Sequence, residues 1–176
     1  SRKLGFSVSQ TMTVAQKLYE QGHITYMRTD SVNLSQLAIG AAKAVICNTL
    51  GEKYSKPRNF ATKTKGAQEA HEAIRPTYMD KESVSSDKNE QQLYALIRKR
   101  TLASQMADAE LEKTTITIAI AGKQYTFEAV GEVIIFDGFL KVYIESQDDE
   151  KEDDEAALLP AIRKGDQLER SLVQAQ

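Results

Sequence analysis

The stretch His23-Ile24-Thr25-Tyr26-Met27-Arg28-Thr29-Asp30-Ser31 lies between two segments of helical periodicity and is typical of a short strand or an extended loop. In an extended chain, residues i and i+2 project to the same side. Tyr26 and Arg28 are therefore predicted to face one phosphate group together. An oxygen nucleophile beside a fixed positive charge is what a phosphoryl transfer requires. Taken alone, the pattern also fits a buried tyrosine with a surface arginine beside it.

A second stretch, Gln68-Glu69-Ala70-His71-Glu72-Ala73-Ile74-Arg75-Pro76-Thr77, places a histidine 45 residues after Tyr26. Gln68 to Ile74 is predicted to form two helical turns, and Pro76 prevents their continuation. On such turns His71 and Arg75 share a face, and Glu72 can orient either side chain. Two alternatives stay open: His71 as a hydrogen-bonded structural residue and Arg75 as a partner in an ion pair within the domain.

Together, the two blocks Ile-Thr-Tyr-Met-Arg-Thr-Asp-Ser and His-Glu-Ala-Ile-Arg-Pro-Thr resemble the type IA DNA topoisomerases, and the bacterial topoisomerase I branch most closely. The resemblance extends from Leu4-Gly5-Phe6 to Phe136-Asp137-Gly138-Phe139 and is weakest in the acidic run after Ser146. The first residue is not Met, which suits a central fragment of such an enzyme that carries the active-site tyrosine.

The resemblance implies a function and assigns roles to residues. In this family a tyrosine attacks a phosphodiester of single-stranded DNA, forms a 5′-phosphotyrosine link and releases a 3′-hydroxyl. A second strand passes through the gap, religation reverses the step, and negative supercoils relax without ATP. Tyr26 matches the nucleophile, and Arg28 matches the residue that positions or stabilises the scissile phosphate. His71, Glu72 and Arg75 match positions that bind DNA or support the active site.

The resemblance also implies what the chain lacks. The family's Mg²⁺ is held by acidic residues of a separate toprim domain, and no Asp-x-Asp on a buried strand pattern occurs here. We therefore assign no metal ligand to this chain and expect it to be inactive in relaxation by itself. Its expected partners are single-stranded DNA and the remaining domains of the same enzyme.

Hydrophobic periodicity predicts an α+β fold that divides near residue 112. Helices are expected at Ser9–Gln21, from the Ser35 N-cap to about Leu50, and from an Asp87-x-x-Glu90 capping box to about Met106. The buried stripe of the first helix is predicted to include Met12 and Tyr19. That of the second helix is predicted to include Leu37.

After residue 112 the period changes to that of strands. Strands are expected at Thr114–Ala121, at Gln124–Val130, and as a further pair at Val133–Phe136 and Phe139–Ile144. An acidic loop follows at residues 146–155, and two short strands are expected after it. By resemblance, residues 1–112 are a helix-turn-helix-like (CAP-like) domain with the active-site tyrosine, and residues 113–176 are part of a β-rich arch.

Composition and charge limit the other possibilities. The net charge of −2 conceals a segregation, because residues 148–155 carry −6 and the rest of the chain therefore carries +4. A basic run at residues 53–65 is a candidate for phosphate contacts. The single Cys47 cannot form an internal disulfide, and no apolar run reaches the roughly 18 residues of a membrane span. The sequence thus predicts a cytoplasmic, nucleoid-associated protein without a membrane partner.

The principal alternative is a non-catalytic DNA-binding module of the helix-turn-helix type. The helix after Ser35 offers only Lys43 on its polar face as a base-reading candidate, where arginine or asparagine would be expected. A tyrosine recombinase also uses Tyr, Arg and His, but its tyrosine follows those residues, whereas Tyr26 precedes them. Within the family, Met27 and the second block favour topoisomerase I over topoisomerase III, and the motifs alone leave reverse gyrase open.

Overall fold

The computed structural model describes residues 2–60, 72–144 and 164–167, and its chain divides into two compact units. The helical unit runs to Ala109, and the chain re-enters it at Asp137. The second unit contains a β hairpin between Glu110 and Phe136. The mixture of helices with a small antiparallel sheet agrees with the predicted α+β class.

The helical unit contains three long helices: α1 at Val8–Glu20, α2 at Gln36–Thr49 and α3 at Lys88–Ser104. Side-chain oxygens at each N-cap satisfy amides that have no partner within the helix. Ser7 accepts from the amide of Gln10, Ser35 from that of Ala38, and Asp87 from those of Asn89 and Glu90. The N-caps predicted at Ser35 and Asp87 are confirmed, and Ser7 caps α1. The capping box predicted for Asp87 and Glu90 is incomplete, because the Asp87 amide donates to the Ser85 hydroxyl and not to Glu90.

The helices bury a smaller set of residues than periodicity predicts. Met12 and Tyr19 of α1 are 36% and 40% exposed, and Leu37 of α2 is 83% exposed, so their assignment to buried stripes is wrong. The buried face of α2 instead consists of Ala38, Ile39, Ala42 and Ile46. Leu37 lies in the first turn of α2, where no described neighbour covers it.

The core of the helical unit lies directly beneath the Tyr26 stretch. Ile24 and Met27 are 2% and 6% exposed. They belong to one cluster with residues of α1 and α3, namely Val14, Ala15, Leu18, Leu93 and Tyr94, and with Phe6. Burying an apolar side chain of this size stabilises a fold by about 1.5–3 kcal/mol. The residues on either side of Tyr26 are therefore anchored in the core.

The β hairpin pairs β1 at Glu110–Ala119 with β2 at Thr126–Phe136 in antiparallel register. Val133–Phe136 is thus the end of β2 and not a separate strand. The strand predicted at Phe139–Ile144 is wrong, because Leu140–Ile144 is a short helix, α4. The amide of Phe139 donates to the carbonyl of Ala107 at 2.9 Å, which directs the chain back to the helical unit instead of along β2.

Part of the predicted β region lies outside the described residues. This applies to the acidic loop at 146–155, to the strand expected at 158–162 and to nearly all of the strand expected at 167–173. Among the described helices, none is both long enough and apolar enough to cross a membrane.

Candidate active site

The structure brings the two motif blocks together inside the helical unit. An isolated antiparallel bridge joins Ile24 to Pro76. The amide of Thr25 donates to the carbonyl of Arg75 at 3.0 Å, and the amide of Thr77 donates to the carbonyl of His23 at 2.9 Å. The first block therefore pairs with the second block at Ile24, but the extended chain that the sequence predicts does not continue, because the backbone bends at Thr25, Met27 and Arg28.

Tyr26 and Arg28 lie on the solvent side of this segment. Tyr26 is 38% exposed and Arg28 is exposed, whereas Met27 between them is buried. The ring of Tyr26 packs edge-on against Tyr19 with centroids 5.2 Å apart. Within the described residues, neither the Tyr26 hydroxyl nor the Arg28 guanidinium has a hydrogen-bond partner. Both groups are thus accessible to a substrate.

Arg75 has a different environment, because its side chain is only 13% exposed. Its guanidinium donates to both carboxylate oxygens of Glu72, at 3.0 and 2.7 Å, and to the carbonyl of Pro76 at 2.8 Å. Such a two-point pair fixes the orientation of both side chains. The ion pair that the sequence left open for Arg75 is therefore formed, and its guanidinium holds the second block in shape.

Glu72 also connects the second block to α2. Its Oε1 accepts a hydrogen bond from the amide of Ser35, the N-cap of α2, at 2.6 Å. Burial by itself would raise the pKa of Glu72, but the hydrogen bonds from Arg75 and Ser35 outweigh it and hold that pKa below its ordinary value. The carboxylate is thus stabilised in its charged form.

The second block is not helical where it is described. Residues 72–75 form no helix, so the turns predicted for Gln68 to Ile74 are wrong over 72–74. The amide of Ala73 donates instead to the carbonyl of Asn33 at 2.8 Å, which pairs the block with the chain before α2. His71 and residues 68–70 lie outside the described residues.

Thr25 is a contact residue that the sequence analysis missed. Its hydroxyl donates to the carbonyl of Ala73 at 2.7 Å and accepts from the amide of Arg75 at 2.9 Å. These partners are 48 and 50 positions away in the sequence. No local pattern reveals such a pairing, and a threonine next to a candidate nucleophile carries no signal of its own.

A cleft of ≈ 410 Å³ borders both blocks. Ser31 of the first block and Ile74 of the second lie along it, together with Phe60 and with Arg100 of α3. Its lining is mainly apolar, and its volume is within the range of small-molecule sites. The two blocks therefore form one continuous surface rather than two separate sites.

The described part of the basic run is already paired within the protein. Lys56 and Arg58 both contact the carboxylate of Asp108, each at 2.6 Å. Their hydrogen bonds hold the pKa of Asp108 below its ordinary value. In this structure Lys56 and Arg58 are therefore engaged by a carboxylate, while Lys63 and Lys65 lie outside the described residues.

The described residues do not fit a magnesium site. No three side chains of His, Cys, Asp or Glu among them lie close enough together to hold a metal ion. Mg²⁺ requires a near-octahedral set of oxygen ligands, usually including one or two carboxylates. We therefore derive no step through Mg²⁺ from the residues described.

Comparison with known proteins assigns the chain to a family. The sequence profile of the family described as DNA topoisomerase matches residues 1–176. The chain belongs to the DNA topoisomerase family. The DNA topoisomerase 1 of Zymomonas mobilis subsp. mobilis is 47% identical over 172 residues, which cover 94% of this chain and 14% of that protein. The DNA topoisomerase 1 of Streptomyces coelicolor is 47% identical over 178 residues, which cover 96% of this chain and 19% of that protein.

A solved structure shows the same relationship. The full-length topoisomerase I of Thermotoga maritima matches with a TM-score of 0.68 and 36% identity, over 92% of this chain and 26% of that one. The resemblance to bacterial type IA topoisomerase I is therefore confirmed. The chain spans 14% and 19% of the two topoisomerase relatives and about a quarter of the solved topoisomerase structure.

Proposed function

We propose that this chain supplies the nucleophile of a type IA DNA topoisomerase, which cleaves and rejoins one DNA strand and relaxes negative supercoils without ATP. The observation that carries the proposal is the state of Tyr26. Its hydroxyl is accessible and has no partner among the described residues, while the nearby Ile24 and Met27 are buried in the core. A nucleophile needs this combination of a free reacting atom and a fixed position.

The reaction balances with Tyr26 as the only covalent participant. The phenol oxygen attacks the phosphorus, a bond forms between them, and the bond from phosphorus to the 3′-oxygen breaks. The phenol proton leaves, and the released 3′-oxygen gains a proton and becomes a hydroxyl. Religation runs the same steps backward. The number of phosphoester bonds is unchanged throughout, so no ATP is consumed.

Arg28 is assigned to the scissile phosphate. Its side chain is exposed, as that of Tyr26 is, and it has no described carboxylate partner that would compete with DNA. Its positive charge would stabilise the extra negative charge on phosphorus in the transition state. Glu72 and Arg75 support the site by holding the second block. His71 is assigned to a contact with the phosphate or the DNA backbone, with a proton-carrying role.

The domain assignment follows the division of the chain. Residues 1–112 would be the helix-turn-helix-like (CAP-like) domain that carries the tyrosine, and residues 113–176 would be part of the β arch. The hairpin that starts at Glu110 supports a boundary near residue 112, whereas the chain from Asp137 returns to the helical unit and does not support an arch assignment there. Other domains of the same enzyme would supply the Mg²⁺ site and most of the groove for single-stranded DNA. The whole enzyme would act in the cytoplasm at the nucleoid.

The test is cleavage of a labelled single-stranded oligonucleotide by the full-length enzyme that carries this sequence. We expect a covalent protein–DNA adduct that disappears in Tyr26→Phe. The matched control is Tyr19→Phe, which removes the hydroxyl of the neighbouring ring and should retain the adduct. An adduct that persists in Tyr26→Phe would refute the proposal. DNA binding without any adduct in the unmodified enzyme would favour a binding module instead.

The chain by itself tests the second part of the proposal. We expect the isolated 176-residue chain to leave negatively supercoiled plasmid unchanged in the presence of magnesium. Relaxation by the isolated chain would show that the metal site and the DNA groove do not require other domains.

A further inference from the structure

We infer that Thr25 is a positioning residue for Tyr26: its side-chain hydroxyl fixes the nucleophile's backbone to the second motif block. This inference rests on the proposed function, because it concerns how the reactive phenol is placed. Thr25 immediately precedes Tyr26, and it is half-buried whereas Tyr26 is exposed. Its side chain therefore faces the protein and not the substrate.

The Thr25 hydroxyl uses both of its hydrogen-bonding functions on the backbone of the second block. It donates its proton to the carbonyl of Ala73 at 2.7 Å and accepts from the amide of Arg75 at 2.9 Å. The backbone amide of Thr25 adds a third bond, to the carbonyl of Arg75 at 3.0 Å. Only a side chain that both donates and accepts can make the first two contacts, which excludes valine despite its similar shape.

The block to which Thr25 is tied is itself rigidly held. The Arg75 guanidinium contacts both oxygens of Glu72, and Glu72 accepts from the amide of Ser35 at the start of α2. A continuous series of hydrogen bonds thus runs from the N-terminus of α2 through Glu72 and Arg75 to Thr25. The next residue in the chain is the nucleophile.

The chain after Tyr26 lacks comparable anchoring. Met27 is buried, but the next bond in the segment is local, from the amide of Ser31 to the hydroxyl of Thr29 at 3.1 Å. The position of Tyr26 is therefore set mainly from its N-terminal side, where Thr25 provides three of the long-range bonds. Because a displacement of about 1 Å can reduce a reaction rate about 100-fold, this hydroxyl should affect catalysis without touching DNA.

The test compares Thr25→Val, Thr25→Ala and Thr25→Ser in the full-length enzyme that carries this sequence. Valine and alanine remove the hydroxyl, and alanine also leaves room for a water molecule. We expect both variants to lower the rate of adduct formation by about 10- to 100-fold while oligonucleotide affinity changes less than about 3-fold. Serine keeps the hydroxyl and should restore the rate to within about 3-fold of the unmodified enzyme.

A matched control is Thr13→Val, because Thr13 is on the exposed side of α1 and its hydroxyl donates only to the carbonyl of Ser9 in the same helix. It should leave the rate of adduct formation unchanged. A folded Thr25→Val or Thr25→Ala variant with an unchanged rate would overturn the inference, and so would a folded Thr25→Ser variant as slow as alanine. If Thr25→Val does not fold, the comparison of Thr25→Ala with Thr25→Ser still tests the role of the hydroxyl.

The two proposals fail in different ways. If the unmodified enzyme forms no adduct at Tyr26, the proposed function fails before the Thr25 variants are compared. If Tyr26 forms the adduct and all Thr25 variants react equally fast, only the positioning role is wrong.

Discussion

Two tyrosines of the helical unit, Tyr26 and Tyr54, each lie beside an isolated backbone bridge, but the first is exposed and the second is buried. The bridge between Ile24 and Pro76 precedes Tyr26, and the bridge between Ser55 and Met106 follows Tyr54. Each bridge joins segments about 50 residues apart in the sequence. Tyr26 is 38% exposed, whereas Tyr54 is 8% exposed. An isolated bridge thus lies beside an exposed phenol in one place and beside a buried phenol in the other.

The surroundings of Tyr54 show what a structural tyrosine looks like in this protein. Its hydroxyl donates to Asp137 at 2.8 Å, and its carbonyl accepts from the amide of Ala107 at 2.8 Å. The hydrogen bond to Asp137, followed by burial and by the negative charge of Asp137, raises the pKa of Tyr54. Tyr54 therefore joins the segment after the hairpin to the helical unit with its phenol protonated.

The cations near the two tyrosines also differ in whether a carboxylate pairs with them. Near Tyr54, the cations Lys56 and Arg58 are paired with Asp108. Near Tyr26, Arg75 is paired with Glu72, but Arg28 has no hydrogen-bond or ion-pair partner among the described residues. The Tyr26 region therefore leaves one phenol and one cation available, and its stability comes from neighbouring residues.

The largest expected effect is the loss of adduct formation in Tyr26→Phe, with little change in stability. Tyr26→Phe should lower adduct formation by at least about 1,000-fold, because the attacking oxygen is lost. Its free energy of unfolding should change by less than about 0.5 kcal/mol, since the hydroxyl has no described partner. Oligonucleotide cleavage and urea denaturation measure the two quantities. A large loss of stability would show that Tyr26 resembles Tyr54 after all.

Arg28→Ala should give the next largest effect. Removing a charge that stabilises the transition state should raise the barrier by about 2–4 kcal/mol, by analogy with oxyanion donors. The matched variant Arg28→Lys keeps the charge but loses the planar fork, so it should recover part of the rate. Single-turnover cleavage rates measure both effects. Equal rates for Arg28→Ala and the unmodified enzyme would show that Arg28 does not stabilise the transition state.

Gly138→Ala tests the structural side of the comparison. Gly138 has a φ of +48°, and an added Cβ would overlap the carbonyls of Asp108 and Ala107. We expect the free energy of unfolding to fall by about 3 kcal/mol. The overlap would displace Ala107, whose amide donates a hydrogen bond to the carbonyl of Tyr54.

Gly40→Ala is the matched control for that substitution. Gly40 lies inside α2 with open space around its Cα, so alanine should stabilise by up to about 1 kcal/mol. Equal denaturation midpoints for the two alanine variants would contradict the role assigned to the Tyr54 region.

The smallest expected effect is a change in pH dependence at Glu72. Because its pKa is lowered in the folded state, Glu72 contributes stability above its ordinary value of 4.5 and loses it as pH falls through the lowered value. Glu72→Gln retains an oxygen for the amide of Ser35 but loses the ion pair with Arg75, at a cost of about 0.5–1 kcal/mol at neutral pH.

Urea denaturation as a function of pH measures this difference. The gap between Glu72→Gln and the unmodified protein should close as the solution becomes more acidic than pH 4.5. Acid sensitivity will remain in both proteins, because the pKa values of Asp108 and Asp137 are also lowered. A gap that stays constant with pH would contradict the charged role of Glu72.

Local features of this protein could be predicted from its sequence. The N-caps at Ser35 and Asp87 were predictable, because a cap depends on amides two or three residues away. The exposure of Tyr26 and Arg28 agrees with the prediction, but the bends at Met27 and Arg28 were not predicted from the sequence. The roles of Tyr26 and Arg28 in catalysis stay predictions.

Long-range features could not be predicted. The exposure of Leu37 depends on which neighbours reach the first turn of α2, and the helix at Leu140–Ile144 depends on the bond from Phe139 to Ala107. The contacts of Thr25 depend on a block about 50 residues away. Periodicity contains no information on any of these partners.

Mass spectrometry of the trapped protein–DNA adduct, after digestion with trypsin and nuclease, tests directly whether Tyr26 is the nucleophile. Cleavage after Lys17 and Arg28 gives one peptide that contains both Tyr19 and Tyr26, and fragmentation of the peptide distinguishes them. We expect a nucleotide joined through its 5′-phosphate to Tyr26. A nucleotide on Tyr19, on any other residue, or linked through a 3′-phosphate would contradict it.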